Sequence, residues 1–399
     1  MYINPIYSLY DISGIPYLLP HGQGIADHRH GIQINEAGVF LWNILQKTTD
    51  RQKLLAAFYR HYDAGPQDYA QLEQDLNDFL NHLFALGILL REKPSIPAND
   101  TQPVPLQQSV RSEAPPSSDS CLLQIGPLVL QLIADPDAIS SEFLPFQTTQ
   151  NIPADLTIEL NAGVPDIQYA DAALLIRHEQ LLIYETEESY LLKFPQAPQL
   201  SFALLNKDGS YASVYYTQPY TEAFASDLFH AVRILFLYTA QLHGCYALHS
   251  ASVYYRGKAW LFSGHSGMGK TTHTNLWQSL YHVKMLNGDL NLISFLDNDP
   301  VIYGMPWCGT SQIADTETYS LGGIILLDRS SRDECLPLLL NEQILLCTQR
   351  LISPTWTANL FQRNLDFISS LVNHISVCML KCTKNPSAAA AAKQWIDKI

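Results

Sequence analysis

The residues with the clearest chemical potential are the eight from Gly264 to Thr271, which read GHSGMGKT. They fit the pattern G-x-x-x-x-G-K-[ST], in which loop N–H groups and a following helix N-terminus surround nucleotide phosphates. Lys270 is predicted to reach the β- and γ-phosphates, and the Thr271 hydroxyl to ligate Mg²⁺. A glycine-rich turn that binds nothing is the alternative. The predicted nucleotide-binding residues are Gly264, Ser266, Gly267, Met268, Gly269, Lys270, Thr271 and Thr272.

Glycine has a separate task in such a loop, because it alone adopts positive φ freely and lets the backbone approach an anion closely. We therefore expect φ > 0 at Gly264, Gly267 and Gly269. The flanking elements fit as well: KAWLFS before the loop predicts a strand, and residues 272–280 predict a helix.

A hairpin is predicted to lead into this loop. Residues 246–255 and 258–263 are apolar strand candidates separated by Arg256-Gly257, a tight turn. The strand that enters the loop therefore has an antiparallel neighbour. This differs from nucleotide-binding folds in which crossover helices keep the whole sheet parallel.

The composition restricts the class of protein. A length of 399 residues allows two or three domains, and a net charge of −14 argues against a nucleic-acid or anionic-membrane partner. The seven cysteines are scattered and odd in number, so they predict no disulfide framework, and Cys378 and Cys382 are interpreted as buried thiols. No signal peptide and no apolar run long enough to span a bilayer is visible, so a cytoplasmic location is expected.

Four segments are predicted along the chain. Residues 94–120 contain many Pro, Ser and Gln and almost no large apolar residue, which is typical of a disordered linker. An ordered meandering loop is the alternative. The segments are a recognition domain at 1–93, the linker at 94–120, a β-rich part at 121–243 and a catalytic domain at 244–399.

The first segment predicts a small winged-helix-like unit. Strands are expected at 5–11, 16–20 and 31–34, followed by a helix capped by Asn35, a helix at about 50–62, and a helix from Pro66 to Gly87. The core face of the last helix is predicted to consist of Leu72, Leu76, Phe79, Leu80 and Leu83.

Residues 5–91 resemble the PqqD family of peptide-recognition domains. The matching residues are the run 35–42 (NEAGVFLW), then Leu54, Tyr59, Tyr62, Asp75, Phe79, Leu80, Leu83, Gly87, Ile88 and Leu89. The resemblance implies that a leader peptide adds a β-strand to the sheet edge between Gly31, Ile32, Gln33, Ile34 and helix 67–86. A winged helix that packs only against its own chain is the alternative.

Residues 121–240 alternate apolar and polar positions in short runs, which predicts an antiparallel sheet with a turn at 206–209. Residues 222–243 then predict an amphipathic helix that ends at Gly244.

The catalytic segment resembles the HPr kinase/phosphorylase group, which is related to phosphoenolpyruvate carboxykinase. The match consists of ALHSASV at 247–253, GHSGMGKTT at 264–272, LNGDL at 286–290, and a tail at 375–382 that precedes Pro386 and an alanine-rich helix. The resemblance implies ATP and Mg²⁺ as cofactors, and His249, Lys270 and Asp289 as catalytic residues. Asp289, expected in a short strand, would share Mg²⁺ with Thr271. A buried core His249 and a turn Asp289 are the alternatives. The related kinases assemble as oligomers, so a homo-oligomer is also implied.

One departure from this family concerns the base. Two adjacent aspartates are expected, but residue 288 is Gly, so either Asp289 serves both roles or the base lies elsewhere. Asp297 and Asp299 are interpreted as part of a hairpin turn. The aromatic, glycine-bearing segment 303–311 is interpreted either as an acceptor-site loop or as a structural turn. Arg329 and Arg332 are interpreted as exposed loop arginines rather than phosphate ligands.

Together these features predict an α+β multi-domain protein: a small winged-helix-like PqqD domain followed by an HPr-kinase-like α/β domain with a mixed sheet and a phosphate loop. The leading hypothesis is an ATP- and Mg²⁺-dependent kinase for a Ser or Thr hydroxyl of a ribosomally synthesised precursor peptide. The alternatives are a small-metabolite or carboxykinase-like phosphotransferase and a non-catalytic, nucleotide-gated peptide-binding module.

Overall fold

The computed structural model describes residues 1–92, 119–150, 152–163, 172–217 and 222–399. The chain divides into two compact units: residues 1–105 with Thr355–Phe361, and residues 106–354 with 362–399. Almost all of the predicted linker, residues 94–118, lies outside the described residues. Its last two positions belong to the strand Asp119–Ile125.

The first unit combines a three-stranded antiparallel sheet, in the order β2-β3-β4, with helices and a two-stranded ribbon of β1 and β5. The elements are β1 (Tyr2–Ile3), β2 (Tyr7–Ile12), β3 (Ile15–Pro20), α1 (Gln23–Ala26), β4 (Ile32–Gln33), α2 (Glu36–Leu45), α3 (Arg51–His61), α4 (Tyr69–Ala85) and β5 (Leu89–Leu90). The predicted strands and the three longer helices are confirmed, whereas α1 and the ribbon are additional.

Local sequence signals explain where these helices begin and end. The Asn35 side chain accepts a hydrogen bond from the N–H of Gly38, and Asp50 caps α3 through the N–H groups of Gln52 and Lys53. Gly87 follows α4 at φ +70°, a conformation that favours glycine. The predicted core face of α4 is confirmed: Leu76, Leu80 and Leu83 are buried, and Leu72 and Phe79 pack beside them.

The second unit opens with an eight-stranded sheet in the order β6-β7-β8-β13-β12-β11-β10-β9. Its strands are β6 (Asp119–Ile125), β7 (Leu128–Ala134), β8 (Leu156–Ala162), β9 (Ala173–Arg177), β10 (Leu182–Glu185), β11 (Ser189–Lys193), β12 (Leu200–Asn206) and β13 (Tyr211–Tyr216). The prediction of a purely antiparallel sheet is wrong, because β8 pairs in parallel with both β7 and β13. The long connection from β7 to β8, which contains short helical turns at Pro136–Ala138 and Ser141–Phe146, gives the chain room to return in the same direction.

A long helix, α5 (Glu222–Leu242), joins this sheet to the next and packs on β12 and β14. As predicted, Gly244 follows it, at φ +74°. Among the described helices, only the part of α5 from Ala223 to Leu242 is long and apolar enough to cross a membrane. Just over half of its apolar window (56%) is buried inside the protein, as in the core helix of a globular domain.

The second sheet carries the predicted catalytic residue His249 in one of its strands, whereas Lys270 lies on a helix and Asp289 in a bend between two strands. Its strands are β14 (Tyr246–Tyr255), β15 (Lys258–Ser263), β16 (Lys284–Asn287), β17 (Leu290–Leu296), β18 (Asp299–Gly304), β19 (Thr318–Arg329), β20 (Glu334–Pro337) and β21 (Ser376–Cys382). The predicted hairpin of β14 and β15 is confirmed, and β15 also pairs in parallel with β19, so the sheet is mixed as expected. The turn between β17 and β18 places Asp297 and Asn298 at positive φ, which confirms a hairpin there.

Four helices follow in the described chain: α6 (Lys270–Tyr281), α7 (Leu340–Thr348), α8 (Ala358–Leu371) and α9 (Pro386–Ile396). They belong to the second unit except for the start of α8, up to Phe361, which groups with the first. α6 begins two residues earlier than predicted. It packs with α9 over a core that contains Phe262, Trp277 and Leu380. Cys378 and Cys382 are buried in the same core, as predicted, and all seven cysteines are free thiols.

Candidate active site

The loop 264–269 connects β15 directly to α6, so the N-terminus of α6 faces the space above the loop. Gly267 has φ +73° and Gly269 has φ +103°. These two residues turn the chain back toward the helix, and an L side chain would strain either one. Lys270 is the first residue of α6 and is only 9% exposed, whereas the neighbouring Thr271 and Ser266 are exposed.

The expectation of positive φ at Gly264 is wrong, since its φ lies outside that region. The lack of room for a side chain explains the glycine at this position instead. A Cβ on Gly264 would lie 3.1 Å from Cβ of Met268 and 3.3 Å from Cβ of Leu327. A side chain there would press the loop away from the end of β19.

His249 and Asp289 form the central polar pair of the site. Nε2 of His249 lies 3.1 Å from Oδ1 of Asp289, and because a carboxylate only accepts, Nε2 carries the proton. Burial alone would raise the pKa of Asp289. The hydrogen bond and charge of His249, together with the charges of Lys270 and Arg233, outweigh burial and lower that pKa. Asp289 is therefore ionised at neutral pH.

Asp289 was expected in a strand, and that is wrong. It lies in a two-residue bend between β16 and β17, which both pair with β14. Two hydrogen bonds fix the bend: the Asp289 N–H donates to Oδ1 of Asn287, and the Ser250 N–H donates to the Asp289 carbonyl at 2.8 Å. The backbone of Asp289 is thus bonded to the strand that carries His249.

The absent second carboxylate has a steric cause. A Cβ on Gly288 would lie 1.8 Å from Oγ of Ser311 and 3.0 Å from the carbonyl oxygen of Cys308. The segment with the short helical turn Gly309–Ser311 therefore packs on the backbone of Gly288 and leaves no room for any side chain. This places the segment 303–311 beside Asp289, with Gly309 directly against the carboxylate.

Two arginines that no sequence motif marked contribute to the electrostatics of the site. Arg350 follows α7, and its Nη1 lies 3.2 Å from Nδ1 of His265 in the loop. The charge of Arg350 is the largest cause of the lowered pKa of His265. Arg233 lies half-buried on α5, where burial lowers its pKa and the charge of Asp289 opposes that shift. Burial likewise lowers the pKa of Lys270, again opposed by Asp289.

The site carries more positive than negative charge. Among the described residues, none of Lys270, Arg233 and Arg350 has a carboxylate oxygen within 4.0 Å. In a chain with a net charge of −14, three partly or fully buried cations without a paired carboxylate favour an anionic ligand. The arrangement therefore suits phosphate groups beside a single ionised carboxylate.

Arg329 and Arg332, which the sequence predicted to be exposed loop arginines, have different roles in the structure. Nη2 of Arg329 donates to the Gly267 carbonyl at 2.6 Å, so this exposed arginine braces the loop through its backbone. Arg332 is exposed, as predicted.

The site fits Mg²⁺ only in combination with a phosphate ligand. Asp289 supplies one ionised carboxylate and Thr271 an exposed hydroxyl, both oxygen donors of the kind Mg²⁺ prefers. Within the described ranges, no group of three or more His, Cys, Asp or Glu side chains is placed to hold a metal ion. Mg²⁺ commonly binds through one or two carboxylates and substrate phosphates, so this donor set is compatible with it.

The predicted peptide-binding edge lies in the first unit. β4 pairs only with β3 among the described strands, through Leu18↔Ile32 and Tyr17↔Gln33, so its other edge is open. Ile34 is buried with the core face of α4, and Gln33 is exposed. An open edge beside a helix is the geometry that strand addition requires.

Comparison with known proteins gives two findings. The family described as Coenzyme PQQ synthesis protein D (PqqD) matches residues 24–89, which form a PqqD domain. PqqD domains bind precursor peptides of ribosomally synthesised, modified products. No curated protein matches the sequence.

Among solved structures, the Hpr(Ser) kinase/phosphatase from Coxiella burnetii matches with 12% identity and a TM-score of 0.18. The match covers 23% of this chain and 64% of that protein. A likeness this low carries no weight for function, so a functional proposal depends on the geometry around Lys270 and on the PqqD domain.

Proposed function

We propose, from the PqqD domain at residues 24–89 and the charged site around Lys270, that this chain is an ATP- and Mg²⁺-dependent kinase. Its substrate would be a ribosomally synthesised precursor peptide whose leader adds a strand to the edge of β4. A Ser or Thr hydroxyl of the same peptide would receive the γ-phosphoryl group. The observation that carries the proposal is the ionised Asp289, hydrogen-bonded to His249, beside a buried lysine at a helix N-terminus.

Each residue has a role that follows from its position. Lys270 and the N–H groups at the start of α6 bind the β- and γ-phosphates and stabilise charge that develops on them. Thr271 and Asp289 would hold Mg²⁺ together with the nucleotide phosphates, and the ion would supply positive charge that offsets the phosphate charge. Oδ1 of Asp289 accepts from His249, which leaves Oδ2 to accept a hydrogen bond from the acceptor hydroxyl.

Transfer then follows an in-line course. The hydroxyl oxygen forms a bond to the γ-phosphorus while the bond between that phosphorus and the β–γ bridging oxygen breaks, and ADP leaves with that oxygen. The hydroxyl proton passes to Asp289. The lowered pKa of Asp289 makes it a weak base, which suits a loose transition state in which the proton moves late.

Mass spectrometry of the peptide tests this proposal. The full chain is incubated with ATP, Mg²⁺ and a candidate precursor peptide, and we expect the peptide to gain the mass of one phosphate. Lys270→Ala should abolish the gain and leave peptide binding unchanged. Lys258→Ala, which changes an exposed lysine at the start of β15, serves as the matched control. A peptide that binds but is never phosphorylated would rule out the kinase, and ATP binding without turnover would favour a nucleotide-gated binding module.

A further inference from the structure

One face of α5 packs on the segment 303–311. The ring of Trp307 lies 5.7 Å from the ring of Phe229 and 5.5 Å from the ring of Phe236. Nε1 of Trp307 also donates to the Phe229 carbonyl at 2.9 Å. Arg233 lies four residues after Phe229 and three before Phe236, so it shares this face of the helix. The packing therefore turns Arg233 toward the segment.

The same segment brings Arg233 close to the carboxylate of the site. Gly309, two residues after Trp307, packs against Asp289, since a Cβ on Gly309 would lie 2.9 Å from Cβ of Asp289. The charges of Arg233 and Asp289 act on each other: Arg233 helps to lower the pKa of Asp289, and Asp289 opposes the fall that burial causes in the pKa of Arg233. The two side chains are neighbours but do not approach to the 4.0 Å of an ion pair.

The Arg233 guanidinium has no protein partner. It is half-buried, and within the described ranges it makes neither a hydrogen bond nor an ion pair. One turn earlier on α5, His230 is exposed, and one turn later Phe236 is only 1% exposed, so Arg233 lies where solvent meets the interior. A guanidinium partly removed from water without a partner is unfavourable, and a bound anion would compensate.

A carboxylate of the peptide is the anion that suits this position. Under the proposed function the phosphates are bound by Lys270 and the start of α6, whereas Arg233 comes from another helix and lies near Asp289. The Asp289 side chain is 35% exposed, so an acceptor hydroxyl can reach it. Residues that flank the acceptor have Cα atoms about 3.8 Å from its own, which brings their side chains within reach of Arg233. The two oxygens of a carboxylate match the planar fork of a guanidinium.

We propose that Arg233 is a specificity-determining residue, which binds a carboxylate of the peptide next to the acceptor hydroxyl. The inference rests on the proposed kinase function and names the class of peptide: a Ser or Thr with an acidic neighbour. The carboxylate belongs either to an Asp or Glu side chain or to the end of the peptide. Its binding also neutralises Arg233, which removes one of the charges that lower the pKa of Asp289 and so makes Asp289 a stronger base.

Steady-state kinetics with matched peptides tests this inference. The candidate precursor peptide is made with Glu or with Gln at both positions that flank the acceptor Ser, so that the leader and the acceptor stay the same. For the wild-type chain we expect kcat/KM to be at least about 10-fold higher with the Glu peptide. Arg233→Gln should reduce this preference to within about 2-fold and leave the calorimetric affinity for ADP unchanged. Arg332→Gln, which changes an exposed arginine of the same unit, should keep the wild-type preference.

Two further variants keep the result decisive if Arg233→Gln does not fold. Arg233→Lys retains the charge without the fork and should keep a reduced preference for the Glu peptide. Arg233→Glu should invert the preference, toward a peptide with Lys at both flanking positions. A purely structural role of Arg233 would not produce that inversion.

The source of the carboxylate is tested with a second pair of peptides. Both end at the acceptor Ser, with Gln before it, and one has a free terminal carboxylate whereas the other is amidated. A preference for the free acid assigns the terminal carboxylate, and a preference for internal Glu over Gln assigns a side chain.

Equal kcat/KM within both pairs of peptides for the wild type would overturn the inference, as would a preference that survives in Arg233→Gln. A fall in kcat/KM that is equal for all peptides in Arg233→Gln would show that Arg233 acts only on Asp289, which also overturns it. If the wild-type chain phosphorylates none of the peptides, the proposed function itself fails, and this inference with it.

Discussion

At the scale of single residues, the site combines unequal charges. Lys270 is almost fully buried, and Arg233 and Arg350 are half-buried. Asp289 is the carboxylate of the site, and the charges of Lys270 and Arg233 help to lower its pKa. Burial lowers the pKa of each of the three cations, which means that folding disfavours their charged forms. Under the proposed function, such a site would lose stability in exchange for affinity toward anions.

Lys270→Met should therefore stabilise the ligand-free chain. Burial lowers the pKa of Lys270 in the folded chain, so folding disfavours its charged form, and an uncharged side chain of similar length removes that cost. We expect a gain of about 1 kcal/mol, a few degrees in Tm, together with loss of ADP binding. Thermal unfolding and calorimetry check both. A lower Tm in Lys270→Met than in the matched control Lys258→Met would contradict the expectation.

Gly288→Asp should fail to restore a two-carboxylate site. Its Cβ would overlap Ser311, whose Oγ and Cβ lie 1.8 and 2.4 Å away, so we expect a loss of about 1–3 kcal/mol and no phosphoryl transfer. Adding Ser311→Gly removes both side-chain overlaps and leaves only the Cys308 carbonyl at 3.0 Å, so the double variant should recover most of the lost Tm. Equal thermal stability of Gly288→Asp and wild type would contradict this expectation, because it would show that the Ser311 segment moves aside at little energetic cost.

The sequence was informative about single residues only where a motif marks them. His249, Lys270 and Asp289 belong to recognisable runs, and the structure brings His249 and Asp289 into contact. Arg350 and Arg233 lie in no pattern, because the side of a helix or loop that faces a distant strand depends on tertiary packing. The space required at Gly264 and Gly288 is likewise set by Met268 and Ser311, which only the folded chain brings close.

At the scale of elements, hairpins were predictable and strand direction was not. The turns at Arg256-Gly257 and Asp297-Asn298 are short and carry residues at positive φ, so they specify antiparallel neighbours. Alternation of apolar and polar residues reports burial of one face but not direction, which explains the missed parallel pairing of β8. Helix caps at Asn35 and Asp50 gave bounds accurate to about one residue.

The open edge of β4 leads to a prediction for peptide binding. Gly31→Ala would place a Cβ 2.4 Å from Cδ2 of Leu19 and 2.8 Å from the Leu18 carbonyl, which should displace β4 from β3. We expect leader-peptide affinity to fall at least about 10-fold with ADP affinity unchanged, as fluorescence anisotropy and calorimetry would show. Lys47→Ala, an exposed change in the same unit, is the control. Unaltered peptide affinity in Gly31→Ala would argue against binding at this edge.

At the scale of the whole molecule, the proposal assigns recognition and chemistry to different units. Binding of the leader would raise the local concentration of the acceptor hydroxyl without touching the transition state. Removing the leader from the peptide should therefore raise KM by about 10²-fold or more and leave kcat nearly unchanged. Steady-state kinetics with full-length and leaderless peptides checks this, and a selective fall in kcat would contradict it.

The contribution of the leader is better tested by shortening the peptide than by deleting the first unit of the protein. Thr355–Phe361 groups with the first unit: the Gly22 N–H donates to the Thr355 carbonyl at 2.7 Å, and the ring of Tyr10 meets Phe361 edge-on at 5.1 Å. Deleting residues 1–93 would remove these partners and expose Phe361. Loss of activity after such a truncation would then report misfolding as readily as lost recognition.

The unpaired cations around Lys270 also have a consequence for the life of the protein in a cell. Any anion that binds only the folded chain stabilises it by mass action, by about 2.7 kcal/mol at a hundred times its Kd. The fraction of chains that survive heat or proteolysis would then rise and fall with the supply of nucleotide. Under the proposed kinase function, the amount of the protein would then follow the supply of nucleotide, and phosphorylation of the peptide would slow through turnover of the protein as well as through lack of ATP.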